Sequence, residues 1–275
     1  MLGRFSNEAL SENILFEIAR GSIPGFTSIT ITGNNPSVGT VLETIWDESG
    51  LYVYPPTPLQ FTISSVSNDD TANGTGARAV FIIGLDAEGN WQTEISPTNG
   101  QAGILTEKTY SRINVAYNVS AGSAGRNLGK MYIGTGALTA GVPATVYGSI
   151  DGTSNTRDNT MKQTPFTIPK GYVGYVTGFV VGLEAAKEGT LSIFHRVQNQ
   201  LMRGEGELIL YQSPLQISLS TPFRFPALTD IELRGFATTG DLFLRANMTV
   251  ILERVDETVP FILPGSLLPS EEWVV

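Results

Sequence analysis

The chain contains no cysteine and a single histidine among its 275 residues. The absence of cysteine excludes disulfide bonds, thiolate metal sites and thiol nucleophiles. The single histidine, His195, lacks the partners that a catalytic triad or a histidine-rich metal site would need, so we expect it to be structural. Charged residues make up only 16% of the sequence, and an acidic excess gives a net charge of −9. This charge argues against a nucleic-acid partner, which requires a basic surface.

Long hydrophobic runs are also missing from this chain. No stretch approaches the roughly 20 apolar residues that a membrane-spanning helix requires. The first residues, MLGRFSNE, lack the apolar segment of a secretory signal, so we expect neither a membrane partner nor export by that route.

Short stretches of Val, Ile, Thr, Phe and Tyr fill the chain, separated by Gly, Asn, Asp, Ser and Pro. Residues 27–32 and 59–66 alternate between apolar and polar side chains, as does the segment Tyr172–Leu183. This period of two predicts half-buried strands, and its repetition predicts an all-β protein. About six strands within residues 163–258 are typical of a small antiparallel sandwich or jelly roll.

We therefore predict two antiparallel β-sandwich or jelly-roll-like domains with a short N-terminal helix and an extended C-terminal arm. Residues 151–159 have no apolar side chain and are interpreted as a linker or a long loop. The predicted divisions are an N-terminal helix and arm (1–26), a first β domain (27–162), a second β-sandwich domain (163–258) and a C-terminal arm (259–275).

One amphipathic helix is predicted over residues 6–20. Leu10, Ile14 and Ile18 are spaced four residues apart and share one helical face, which ends before Gly21. An isolated helix of this length is marginal in water, so the face must pack against its own domain or a neighbouring subunit.

The C-terminal segment 259–275 combines apolar side chains with three prolines, which exclude a central strand or a long helix. Exposed together, these side chains would form an apolar patch that soluble monomers avoid. We expect this arm to lie on another chain. The predicted interface residues of the arm are Phe261, Ile262, Leu263, Leu267, Leu268 and Trp273.

Two acidic segments have the residue types of a calcium site. One contains Asp86, Glu88 and Asn90, and the other spans residues 68–73. Neither has the full set or spacing of oxygen ligands of a recognised calcium loop, whereas Asp and Asn are common in β-turns. We therefore predict turns, with no metal and no cofactor.

Glu43 and Asp47 flank Trp46, an arrangement that invites comparison with the paired carboxylates and aromatic residues of a glycosidase. Sequence alone does not bring the two carboxylates together, and a tryptophan in a β protein is more often a core residue. We expect no catalytic residues and no enzymatic activity.

Five arginines supply most of the positive charge of the predicted second domain. They either pair with acidic residues across a subunit interface or form a solvated rim. They are Arg196, Arg203, Arg224, Arg234 and Arg245.

Several motifs, in the same order, are similar to a family of tailed-bacteriophage virion proteins recurrent in marine and environmental phages. The motifs are EIARGSIPG (17–25), GNNPSVG (33–39), ETIWD (43–47), DTANGTGAR (70–78), GLD (84–86) and TDIELRG (229–235). The resemblance implies a β-rich structural component of the virion, assembled in the host cytoplasm, and it implies no catalytic residues.

Within that class we favour an accessory capsid protein, a decoration, cement or head-fibre component that stabilises the particle through subunit contacts. The expected partners are further copies of the chain, as a trimer, and other virion proteins including the major capsid protein. The alternatives are a tail, neck or baseplate component, or an adhesin that binds a host glycan. A free carbohydrate-binding module or hydrolase is a third class.

Overall fold

The computed structural model describes residues 14–153, 159–184, 187–198, 200–211, 214–256 and 258. They form a short helix, α1 (Ile14–Ala19), one turn of 3-10 helix (Gly100–Ala102) and antiparallel strands. In chain order the strands are β1 (Phe26–Val38), β2 (Glu43–Thr44), β3 (Thr62–Ser65), β4 (Ala77–Leu85), β5 (Trp91–Pro97), β6 (Ile104–Leu105), β7 (Arg112–Ala121), β8 (Lys130–Thr139), β9 (Val142–Asp151), β10 (Phe166–Thr167), β11 (Tyr172–Leu183), β12 (Gly189–Val197), β13 (Arg203–Leu210), β14 (Leu215–Phe225), β15 (Thr229–Ala237) and β16 (Leu242–Arg254). The predicted all-β class with antiparallel sheets and a short N-terminal helix is confirmed.

Two sheets share the larger apolar core. One has the strand order β1-β16-β11-β14, and the other has the order β10-β15-β12-β13 with β2 beside β15. In β16, alternate residues from Leu242 to Leu252 are buried, as the period of two requires. They meet Tyr172 and Val176 of the same sheet and Ile231 of the other sheet in one cluster.

The pairing of β1 joins distant parts of the sequence. β1 pairs with β16 from Phe26 opposite Glu253 to Val38 opposite Leu242. β1 falls in the predicted first β domain, yet its sheet is otherwise built from residues beyond 163. The division at residue 162 stays a prediction.

Two smaller sheets are built from residues between β2 and β10. Their orders are β6-β3-β8-β9 and β5-β4-β7. Phe61, Ile82, Tyr110 and Ile133 are among the side chains of a second buried core. The turn predicted at Asp86–Asn90 is confirmed, because it connects β4 to β5 in a hairpin whose pairing ends with Leu85 opposite Trp91.

An aromatic segment between β2 and β3 connects these cores. The rings of Trp46, Tyr52 and Tyr54 pack edge to face, with centroids 5.1 and 4.8 Å apart. The Tyr52 hydroxyl donates to the carbonyl of Tyr147 on β9 over 3.1 Å, and the Tyr54 hydroxyl donates to Glu232 on β15 over 3.2 Å. This segment ties the smaller sheets to the larger pair.

Candidate functional site

The structure describes two of the predicted interface residues. Ile18 is buried where α1 meets β1, whereas Ile14 is half exposed beside Phe16, whose side chain is also exposed. At Ile18 the helix therefore packs within its own chain, as one of the two sequence alternatives expects. The remaining residues lie outside the described part of the chain, and their role stays a prediction: Leu10, Phe261, Ile262, Leu263, Leu267, Leu268 and Trp273.

Asp70, one of the candidate calcium ligands, is fully buried and bonded to the chain itself. Its carboxylate accepts hydrogen bonds from the Ser65 hydroxyl over 2.6 Å and from the backbone amides of Ala77, Leu128 and Gly129 over 2.8, 2.8 and 2.9 Å. Four donors match the acceptor capacity of a carboxylate. Asp70 thus connects the end of β3, the start of β4 and the segment before β8.

The second acidic segment forms a turn. The Asp86 carboxylate accepts from the backbone amides of Glu88 and Asn90 over 3.0 and 2.8 Å, and from the Asn90 side chain. Side-chain acceptance of backbone amides two residues on is typical of an Asp turn. The arrangement matches the turn predicted for this segment.

Glu43 and Asp47 have different hydrogen-bond partners. The Glu43 carboxylate is buried and accepts from the amides of Gly39 and Gly50 and from the Asn35 side chain. Asp47 instead accepts from Asn34 over 2.7 Å. Neighbouring residues of a strand point to opposite faces, and Asn34 and Asn35 each donate to a different one of the two carboxylates. The expectation that Glu43 and Asp47 form no catalytic pair stays a prediction.

Asp47 lies in a partly buried group of charges. Burial raises the pKa of its carboxyl from 3.8 to about 6, while Asn34, Lys130 and Lys162 lower it and Asp151 raises it. Since the folded pKa exceeds the unfolded one, the contribution of Asp47 to stability is complete below about pH 4 and is lost as the pH rises through about 6.

We expect Asp47→Asn to raise the melting temperature by about 3–6 °C at about pH 7.5 and by much less at about pH 4. The amide oxygen of asparagine still accepts from Asn34 and carries no charge to bury. Calorimetry at both pH values measures the difference. An equal shift at both values would contradict this account, and Asp69→Asn, at an exposed position, is the control.

A further polar cluster, not singled out in the sequence, surrounds Asp230 on β15. Its carboxylate is almost fully buried and accepts from Arg112 Nε and Nη2 over 2.8 and 3.0 Å, from Arg196 Nε over 2.9 Å and from the Thr167 hydroxyl over 2.6 Å. Arg112 comes from β7 and Arg196 from β12. A single carboxylate thus joins a smaller sheet to the larger pair.

Glu232 lies two residues along the same face of β15 and is fully buried. Arg234 Nε and the Tyr54 hydroxyl donate to its carboxylate. Burial raises the pKa of Glu232, and the neighbouring Arg234 partly opposes that rise. The guanidinium groups of Arg196 and Arg112 lie 4.6 and 5.2 Å from the Tyr54 ring centroid.

The five arginines therefore divide into different environments. Arg196 and Arg234 pair with Asp230 and Glu232 inside the chain, rather than across an interface or in a solvated rim. Arg245, on β16, has its guanidinium 5.5 Å from the ring centroid of Phe243. Arg203 and Arg224 are exposed on β13 and β14. For this exposed pair, the interface and rim alternatives stay predictions.

His195 is buried, as expected for a structural residue. Its Nε2 atom lies 3.2 Å from Glu205 Oε1, and its ring centroid lies 5.1 Å from that of Phe225. Among the described residues, no group of three or more acidic or histidine side chains is placed to hold a metal ion. Within the same residues, no helix has the length and apolarity to cross a bilayer.

An apolar cavity of about 120 Å³ opens between the edge strands β13 and β14. Phe179 and Leu233 form part of its floor, while Leu208, Leu219 and Phe223 face it from the edge strands. These three edge-strand side chains pack on the larger core but remain partly exposed. The cavity is thus an extension of the core that reaches the surface.

Both edge strands are irregular beside this opening. β13 bulges at Gly206, whose φ of +66° favours glycine, and its ladder with β12 shifts there. In β14 the ladder with β11 shifts between Ser218 and Phe223, a stretch that includes Pro222. Proline cannot donate to a ladder, so these bulges oppose the continuous pairing of another strand while leaving an opening for a side chain.

No protein-family model matches the sequence, and no curated protein matches it either. Similar solved structures include that of the infectious bursal disease virus Gx strain, at 11% identity over 84% of this chain and 77% of that chain, with a TM-score of 0.19. The infectious bursal disease virus VP2 subviral particle has 10% identity over 89% and 83%, also at 0.19. Vicilin from Solanum melongena has 11% identity over 88% and 77%, at 0.12. These similarities are too weak to carry an argument.

Proposed function

We propose that the chain is a non-enzymatic structural protein of a bacteriophage virion and acts there as an accessory capsid protein. Its role is that of a decoration, cement or head-fibre component, which stabilises a particle by burying surface between subunits. The resemblance of several motifs to those of tailed-phage virion proteins supports a bacteriophage as the source of the particle. The motifs run from residue 17 to residue 235.

The observation that carries the proposal is the contrast between the acidic groups and the apolar edge. Asp70, Glu43 and Asp230 accept hydrogen bonds from donors of their own chain, so these carboxylates stabilise the fold. The cavity at β13 and β14, in contrast, offers apolar side chains to an approaching surface. Such a distribution favours contact with other proteins over chemistry on a substrate.

We further propose that the chain folds as two layered units. The first is a sandwich of the two larger sheets, made from residues 26–46 and 163–254. The second consists of the smaller sheets, from residues 59–161, inserted into the first. The two separate cores and the pairing of β1 with β16 support this division, which moves β1 from the predicted first domain into the second.

The proposed partners follow from this role. Copies of the chain assemble as a trimer around a local symmetry axis, and the trimer contacts the major capsid protein. The net charge of −9 supports protein partners rather than packaged DNA.

The test is to locate the protein in particles. Gradient-purified virions of the phage that encodes this chain should contain it by mass spectrometry, and immunogold labelling should decorate the head. Particles made without it should lose integrity at a lower temperature, and the recombinant protein should restore the difference.

Labelling of the tail or its base would instead support a tail, neck or baseplate component. Glycan-array binding together with tail labelling would support the adhesin. Absence of the protein from purified virions would overturn the structural role altogether.

A further inference from the structure

We propose that the cavity between β13 and β14 receives an apolar side chain from residues 261–263 of a second copy of this chain. The inference deepens the proposed assembly role and rests on it. In this arrangement the cavity binds the C-terminal segment of the second copy, and the two copies form an interface there.

The size of the cavity favours a side chain. A dry, apolar cavity of roughly 150 Å³ accepts a benzene ring, whereas pockets for small organic ligands measure about 300–1,000 Å³. At about 120 Å³ the space suits one aromatic or branched aliphatic group. Phe261, Ile262 and Leu263 are such groups, adjacent in sequence.

The charge at the cavity opening distinguishes between the apolar segments of the C-terminal region as possible occupants. Glu205 and Glu207 line the cavity and are exposed, so its opening carries negative charge. Residues 258–270 contain no charged side chain, whereas Trp273 follows Glu271 and Glu272. The acidic opening therefore disfavours the segment around Trp273, whereas residues 261–263 belong to the uncharged stretch that it accepts.

The position where β16 ends favours a second copy over the same chain. β16 ends at Arg254, opposite Tyr172, whereas the cavity lies beside Phe179 further along the adjacent strand β11 and opens at β14, two strands from β16. From strand spacings this separation is about 20–25 Å. The chain is still held near the start of β11 at Asp256, whose backbone amide donates to the carbonyl of Gly171 over 3.2 Å. The five to seven residues from Asp256 to residues 261–263 span at most about 18–25 Å when fully extended. A route around β14 is longer than the direct line. The C-terminal segment of the same chain is therefore too short to insert a side chain into the cavity.

The first test places a charge on either side of the contact in the full chain. Leu219→Glu, at a partly exposed position in the β14 bulge, and Phe261→Glu should each weaken self-association by about tenfold or more. Ser220→Glu and Ser266→Glu, each near its partner variant, should change it by less than about twofold. Sedimentation velocity over a range of concentrations measures the association.

Phe261→Glu replaces no residue of either described core, so it remains informative even if Leu219→Glu fails to fold. Circular dichroism confirms the strand content of each variant. Unchanged self-association in folded Leu219→Glu and Phe261→Glu would overturn the proposal.

The second test exploits the absence of native cysteine, which allows each introduced thiol to be followed alone. Leu219→Cys and Phe261→Cys are made in chains with tags of different size and are co-expressed. A disulfide requires Cα atoms within about 7 Å, so oxidation should produce one species that contains both tags. Ser220→Cys with Phe261→Cys should produce much less.

The alternative occupants give different results. A chain that carries both Leu219→Cys and Phe261→Cys tests the same-chain alternative. An internal disulfide in this double variant, without a mixed-tag species from the single variants, would assign the cavity to the same chain and overturn the proposal. Absence of any disulfide would assign it to another partner. Virion incorporation of the wild-type protein is measured separately. If the wild-type protein enters particles but the cysteine variants give no mixed-tag disulfide, the inference is overturned and the proposed function stands.

Discussion

Replacement of Asp230 by alanine should lower the free energy of unfolding by about 3–5 kcal/mol, because it leaves two arginines beside a buried void without their carboxylate. Arg112 is mostly buried and Arg196 partly so, and neither can regain full hydration in the folded state. Thr167 also loses its acceptor. Urea unfolding followed by fluorescence measures the loss.

The exposed Asp241 supplies the matched control, and Asp241→Ala should change stability by less than about 0.5 kcal/mol. A double-mutant cycle with Arg112→Ala should show a coupling of about 1.5 kcal/mol or more between Arg112 and Asp230. Additive losses would contradict the view that this pair fastens the smaller sheets to the larger ones.

Replacement of Asp70 by alanine should lower the free energy of unfolding by about 4 kcal/mol or more, because each buried donor left unpaired costs about 1–3 kcal/mol. Four donors lose their acceptor at once, and three of them are backbone amides. Asp70→Asn should recover little, since its amide group would face a donor. Chemical denaturation of both variants measures the effect.

Asp69 is the neighbouring, exposed control, and Asp69→Ala should be nearly neutral. EDTA should not alter the melting temperature of the wild-type protein if the four protein donors satisfy Asp70. A large drop with EDTA, of the size seen in Asp70→Ala, would show that the carboxylate serves a calcium ion instead.

Local alternation in the sequence predicted strands well. The period of two over Tyr172–Leu183 and the turn after Gly84 both correspond to strands and a hairpin in the structure. Such patterns depend on neighbouring residues and on the turn chemistry between them, which a single sequence displays directly.

The pairing of β1 with β16 was not predictable in the same way. Apolar alternation shows that residues 27–32 form a strand, but it does not state which of many strands lies beside it. The two partners are about two hundred residues apart in the chain. The sequence-based division at residue 162 therefore assigned β1 to the residues next to it.

The buried acidic cluster was missed for a different reason. Asp230 and Glu232 alternate with Ile231 and Leu233, a pattern that normally indicates one buried and one solvated face. Here Tyr54 and neighbouring arginines cover the polar face as well. Alternation separates the two faces of a strand, but it does not reveal that a second layer covers the polar one.

The position of β16 also sets the order in which the protein can be completed during synthesis. β1 leaves the ribosome early, yet its hydrogen-bonding partner is made only after residue 242. Until then, β1 and β11 each lack the strand that lies between them in the finished sheet. Prematurely terminated chains would thus retain unpaired strand edges, which are prone to aggregation. Only chains that are translated at least to residue 254 can therefore complete this sheet and fold to the native subunit.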